Sequence, residues 1–154
     1  MSEDRQQALA STFLHIVEKL TFMFGEPVAL DEIELSPEPW VEARMQFQGA
    51  VNGSLAVIVP ESLQPEIAAN ILGLEAADLT TPDMLADALR EMLNVVCGHV
   101  IMTLAGAEAD FKLLAPQHQV VPRERLADLL EDADSMGFTL DDEPLLLHLE
   151  LERG

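Results

Sequence analysis

The chain has 154 residues, with 28 acidic side chains against 8 Lys and Arg, so its formal charge is 8 − 28 = −20 with His neutral. That balance excludes a nucleic-acid binder, because counterion release needs clustered cations, and Arg5, Lys19, Arg44, Arg90, Lys112, Arg123, Arg125 and Arg153 form no basic run; an anionic membrane would repel the chain equally. A hydrophobic content of 49% is too high for an acidic disordered tail, so one folded domain over 1–154 is expected, burying roughly two thirds of the surface an unfolded chain exposes.

No uninterrupted apolar run approaches the roughly 18 residues of a membrane span, and the longest, Val95 to Met102, is broken by Gly98 and His99. Met1 to Arg5 is polar and acidic with no apolar segment behind it, so no secretory leader is expected and the compartment reads as cytoplasmic. The single cysteine, Cys97, has no intrachain partner, in keeping with a reducing compartment.

From about Glu3 to Phe24, apolar residues recur at three- and four-residue steps (Leu9, Phe13, Ile16, Val17, Leu20, Phe24), the period of an amphipathic helix that Gly25 and Pro27 should stop. Val28 to Leu35 reads as an acidic strand, and Pro37 and Pro39 mark a connector. Val41, Ala43, Met45 and Phe47 alternate with Glu42, Arg44, Gln46 and Gln48, so one apolar and one wet sheet face are expected. Gly49 and Asn52-Gly53 then turn the chain into a second strand over Leu55 to Val59. A helix follows over Glu61 to Leu72, with Gly73 placed to cap it.

The long helix is the clearest element. Thr81 suits the N-cap, Pro82 the first turn and Asp83 the positive end of the dipole. Leu85, Leu89, Met92, Val96 and Val100 form an apolar stripe that runs to about Ala105. Short extended pieces are expected around Phe111 to Leu114 and Gln119 to Val121, a turn or two of helix over Arg123 to Ala133, and a closing strand in which Leu145, Leu147, Leu149 and Leu151 alternate with other residues. Hairpins and helices in separate runs give an α+β class with an antiparallel sheet packed against long helices.

Short catalytic motifs are absent: there is no phosphate loop, GxSxG, HExxH or CxxC. His15, His99, His118 and His148 lie on four separate segments without metal-ligand spacing, so no metal or cofactor is assigned. Cys97, on the apolar side of the long helix, reads as a packed thiol.

One face of that helix is different. Asp87, Glu91, Asn94 and Gly98, at i, i+4, i+7 and i+11, fall within an arc of roughly 60° opposite the core stripe. Asn and Gly are both poor mid-helix residues, so two of them on one exposed line need a reason. One reading makes Asp87 and Glu91 solvated charges, one of them paired with Arg90, with Gly98 admitting a closely packed backbone. The other is a polar reaction surface that docks a partner, Gly98 clearing space for it.

The run Asp87-x3-Glu91-x2-Asn94-x3-Gly98, followed by Pro116 and Val120-Val121, resembles the signature of the CheC/CheX/FliY chemotaxis phosphatases. Phe24-Gly25, Gly53-Ser54-Leu55, Ile71-Leu72-Gly73 and Leu147-His148-Leu149 stand in the same family order, so the resemblance covers most of the chain. Asn52 and Asn70 lack a Glu three positions earlier, which leaves one Glu-x2-Asn pair and a likeness to single-site CheX. The resemblance implies hydrolysis of the aspartyl phosphate of a CheY-like receiver. It makes Asn94 the residue that orients the attacking water and Glu91 the anchor for the receiver's active-site lysine, with Asp87 and Gly98 as docking contacts. It also implies a homodimer, for which the Leu-rich terminal strand offers an edge, and it places Mg2+ on the receiver rather than on this chain. A binding module that docks a receiver or motor-switch protein without hydrolysis, and an acidic adaptor unrelated to chemotaxis, are the competing classes.

Overall fold

The structure, a computed structural model, describes residues 2–78 and 81–152; Met1, Leu79, Thr80, Arg153 and Gly154 lie outside the described residues. Helix α1 (Glu3–Thr21) starts at Ser2, whose hydroxyl accepts from the Arg5 N–H, and buries Leu9, Phe13, Ile16 and Val17. It ends at Phe22, in the left-handed region with φ 58°, whose N–H bonds Glu18 O at 2.8 Å. The helix therefore stops earlier than expected, and Gly25 opens strand β1 (Gly25–Val28) instead of terminating a helix. The strand expected over Val28 to Leu35 is absent, because a 3-10 turn at Leu30–Glu32, closed by Glu32 N–H to Ala29 O, takes the chain out of the sheet.

Strands β2 (Trp40–Gly49) and β3 (Gly53–Pro60) form the expected hairpin, in register from Trp40↔Pro60 to Phe47↔Gly53. Helix α2 (Gln64–Leu72) ends at Gly73, whose φ of 69° makes the left-handed cap natural for glycine. Helix α3 (Pro82–Ala105) begins at Thr81, whose hydroxyl accepts from Met84 N–H at 3.3 Å. By length and composition α3 could cross a membrane; here eight of its residues, from Ala88 to Ile101, are buried against the rest of the fold.

The short strands β4 (Phe111–Leu113) and β5 (Gln117–Val121) both pair with β2, β5 against Trp40–Arg44 and β4 against Phe47–Gly49. Helix α4 (Arg123–Leu130) leads to β6 (Ser135–Leu140), a strand the sequence reading missed, and β7 (Glu143–Leu151) closes the fold. The antiparallel sheet runs β1-β6-β7-β3-β2-β4, with β5 also on β2. Strand β7 is therefore interior, paired with both β3 and β6. The expectation of a terminal edge strand is corrected: its alternating leucines serve two neighbours, and the open edges are β1 at one end and β4 with β5 at the other.

One sheet face packs on α1, α2 and α3 through Ala43, Met45, Phe47, Leu55, Val57, Leu147 and Leu149. The opposite face, expected to be wet, carries a second core of Trp40, Ala56, Ile58, Val121, Leu126, Leu129 and Leu146. Glu42 belongs to that face and is only 1% exposed. Its carboxylate accepts from Arg44 Nε at 2.9 Å and from Arg125 Nη2 at 2.9 Å, which is how a charge tolerates burial. Burial is the largest single influence and pushes the Glu42 carboxyl up, but the two guanidinium groups together hold it below its ordinary value of 4.5.

Because the folded-state value is depressed, the Glu42 contribution is present at neutral pH and is lost as pH falls through that lowered value. Glu42→Gln is expected to cost roughly 2 kcal/mol at pH 7, below the roughly 3–5 kcal/mol for breaking a fully buried pair because Arg125 reaches solvent. Urea unfolding should show the gap between wild type and variant narrowing below about pH 4.5. A constant gap across that range would refute the pairing.

Candidate active site

Helix α3 is fixed by its buried side, where Leu89, Met92, Leu93, Val96, Cys97 and Val100 pack into the main core. The remaining arc carries Asp87, Glu91, Asn94 and Gly98 along about 16 Å of helix. Asp87 and Glu91 are exposed, Asn94 and Gly98 half-buried. The structure thus brings all four expected residues onto one accessible line.

Asp87 is held by Arg90, whose Nη2 donates to Oδ1 at 2.6 Å between two largely solvated side chains. That part of the solvated-charge reading holds. Among the described residues, however, the Glu91 and Asn94 side chains have no hydrogen bond or ion pair within the chain. A carboxylate with open acceptor positions therefore lies one turn from a carboxamide that both donates and accepts. Gly98 also departs from the packing explanation. A Cβ built there meets only the tip of the Phe111 ring, at 3.6 Å, an ordinary contact, and no backbone.

The rim comes from the segment that pairs with the β2 edge. At one end Pro116, Gln117 and His118 close a cleft of about 110 Å3 with Ala43, Asp87 and Arg90. His118 Nε2 lies 3.3 Å from Nε2 of the buried Gln64. At the other end Phe111, 39% exposed, stands beside Gly98. Of these rim residues only Pro116 carried a sequence signal; Phe111 and His118 arrive through strand pairing that the sequence left open. A larger cleft of about 490 Å3 lies beside Val28, Ile33 and Pro144, away from α3.

Cys97 is excluded as a nucleophile, since burial pushes its thiol up to about 12 and leaves no thiolate at neutral pH. Among the described residues no group of three or more His, Cys, Asp or Glu is placed to hold a metal ion. The arrangement on α3 is suited to holding water and a cationic group, not to covalent attack.

Residues 41–120, more than half of the chain and including all of the α3 line, match the family model of the chemotaxis phosphatase CheX. The chain belongs to the CheX family. No curated protein matches its sequence. Among solved structures it is similar to a chemotaxis protein CheX from Desulfovibrio desulfuricans, with TM-score 0.68 and 14% identity over 97% of this chain and 99% of that one. It is similar also to a CheX–CheY–BeF3–Mg2+ complex from Borrelia burgdorferi, with TM-score 0.69 and 15% identity over 99% and 100% of the two chains. FliY from Thermotoga maritima is more distant, with TM-score 0.56 and 10% identity over 96% and 90%. At these identities the likeness to the solved proteins is one of fold, and it gives this CheX-family chain the same α+β architecture.

Since among the described residues a Cβ at Gly98 would meet only an ordinary contact with Phe111, Gly98→Ala is expected to preserve the fold. It should raise stability by up to about 1 kcal/mol, the helix-interior difference between Gly and Ala. Chemical denaturation checks this, and a loss of more than that amount would restore a packing role for the glycine.

Proposed function

We propose that this CheX-family chain hydrolyses the aspartyl phosphate of a CheY-like receiver domain, with Glu91 and Asn94 as the working pair. The observation that carries the reading is that these two side chains lie side by side, unpartnered among the described residues, on a helix whose opposite side is locked in the core. The Borrelia CheX, solved together with CheY, BeF3 and Mg2+, supports a receiver as the partner class.

The chemistry asks little of the phosphatase. Water attacks phosphorus, the bond between phosphorus and the aspartyl oxygen breaks, and phosphate departs. Aspartate, with an ordinary pKa of about 3.9, leaves as the carboxylate and needs no general acid. Phosphoryl transfer through a loose transition state likewise needs no strong base. What remains is to place the water in line. The Asn94 carboxamide does this by accepting from the water through its oxygen, or donating through its NH2 to the water or a phosphoryl oxygen.

Glu91 anchors the complex through a charge-assisted hydrogen bond to the lysine of the receiver's phosphorylation site. Asp87, tethered to Arg90, contributes at the docking rim, and Gly98 leaves room for the partner's backbone. A divalent metal on the receiver supplies charge neutralisation at the phosphoryl group.

The test follows the decay of a phosphorylated receiver in the presence of Mg2+ with catalytic amounts of this protein. Wild type is expected to accelerate decay over many turnovers, and Asn94→Ala to lower kcat roughly 100-fold while receiver binding persists. Glu91→Ala should weaken binding roughly tenfold or more, the worth of one hydrogen bond to a charged group. Binding without acceleration by the wild type would move the chain to a non-catalytic docking module.

A homodimer belongs to the same proposal, but through the open β4 and β5 edge and not through β7. Among the described residues strand β5 pairs only with β2, and Val120 on it is 62% exposed, a combination that invites pairing with a second copy. Sedimentation at micromolar concentration is expected to give a dimeric mass, and Val120→Lys to shift it toward monomer.

A further inference from the structure

The groove between α1 and α3 has a lining unlike the rest of this acidic surface. His15 and Lys19, one turn apart on α1, share it with His99 and Thr103, one turn apart on α3, around the apolar side chains of Ile16 and Met102. Its volume is about 460 Å3, within the usual range for small-molecule sites. The chain has 8 Lys and Arg and 4 His, 8 + 4 = 12 in all, and three of the twelve meet here. Among the described residues no carboxylate lines the groove, although the chain carries 28 acidic residues. The acidic neighbour of Lys19 in sequence, Glu18, is turned to the Gly25 N–H at 3.2 Å.

A hydrogen-bonded pair holds the two walls together. Thr103 Oγ1 donates to His99 O at 3.0 Å, so its single proton is committed and the 2.9 Å contact with Thr12 Oγ1 has Thr12 as donor. Both hydroxyl protons are then spent within the chain. The donors left for a ligand are the Lys19 ammonium and the N–H groups of His15 and His99, none of which makes a hydrogen bond or ion pair through its side chain among the described residues.

We infer that this groove is a binding site for a small organic polyanion of the phosphate or carboxylate class, held by Lys19, His15 and His99 across α1 and α3. Three nitrogen donors on two helices match several anionic oxygens at once, and Ile16 and Met102 offer apolar contact to a carbon skeleton. The net charge of the chain opposes approach, so affinity comes from short-range contact and not from steering. The inference is independent of the phosphatase reading.

The experiment titrates the protein with inorganic pyrophosphate and, separately, with citrate, at constant ionic strength, and follows the imidazole resonances of His15 and His99 by NMR. Saturable shifts of both rings with either anion are expected, pyrophosphate alone assigning the phosphate class and citrate alone the carboxylate class. Lys19→Ala, a change at an exposed position, is expected to weaken binding roughly tenfold. Lys112→Ala, on β4, should leave it unchanged. No saturable shift with either anion, shifts reproduced by sodium chloride, or equal affinity in Lys19→Ala would overturn the assignment.

Discussion

The burial of one side of α3 fixes where everything else on that helix points. Leu89, Met92, Val96 and Val100 are at most 1% exposed and sit in the core that the helices share with the sheet, each worth roughly 1.5–3 kcal/mol when fully buried. Turning the helix by a single residue, about 100°, would exchange part of that stripe for polar groups. An unpaired amide or carboxylate in the core costs several kcal/mol, so the register is strongly determined. The proposed water-orienting role of the Asn94 carboxamide needs this constancy, because misplacement by about 1 Å costs on the order of 100-fold in rate.

Strand β2 links this constraint to the rest of the site. Its inner face supplies Ala43, which lines the cleft beside Asp87 and Arg90. Its edge receives β4 and β5, which bring Phe111 to Gly98 and Pro116 to Asp87. Its outer face holds Glu42 between Arg44 and Arg125, and Arg125 belongs to α4, which also contributes Leu126 and Leu129 to the second core. The helix α4 and the buried ion pair therefore brace the strand to which the rim of the site is attached.

Much of this was legible in the sequence where one local signal acted alone. The Thr81 cap, Pro82 and the 3.6-residue stripe locate α3 without help from any neighbour, and the line of Asp87, Glu91, Asn94 and Gly98 follows from helical geometry. The same logic failed where pairing decides. Alternation in β2 cannot say whether the polar face meets water or another layer, so Glu42 reads as wet until α4 is seen to cover part of that face. Strand β6 contains Gly137 and Thr139 in a short segment and acquires its strand form from pairing with β1 and β7. The edge status of β7 is likewise a property of the sheet and not of its leucines. His15 and His99 are 84 positions apart in the sequence, and only the packing of α1 on α3 places them in one groove.

Helix α3 thus presents separate surfaces along one rigid body. His99 follows Gly98 in sequence, yet at 100° per residue it lies roughly 80° around the axis from Glu91 and on the side toward α1. A partner on the Glu91–Asn94 line and an anion at His99 would approach along different directions. They would share the core stripe, which anchors both. Their remaining communication is electrostatic and is weakened by solvent screening over about 8 Å at physiological salt. Because Arg90 is committed to Asp87, the Glu91–Asn94 line keeps the open carboxylate of Glu91 as its specific charge, while the α1 groove collects cationic and imidazole groups. The opposite signs of the two surfaces favour different ligand chemistries: cationic groups on one and anionic groups on the other.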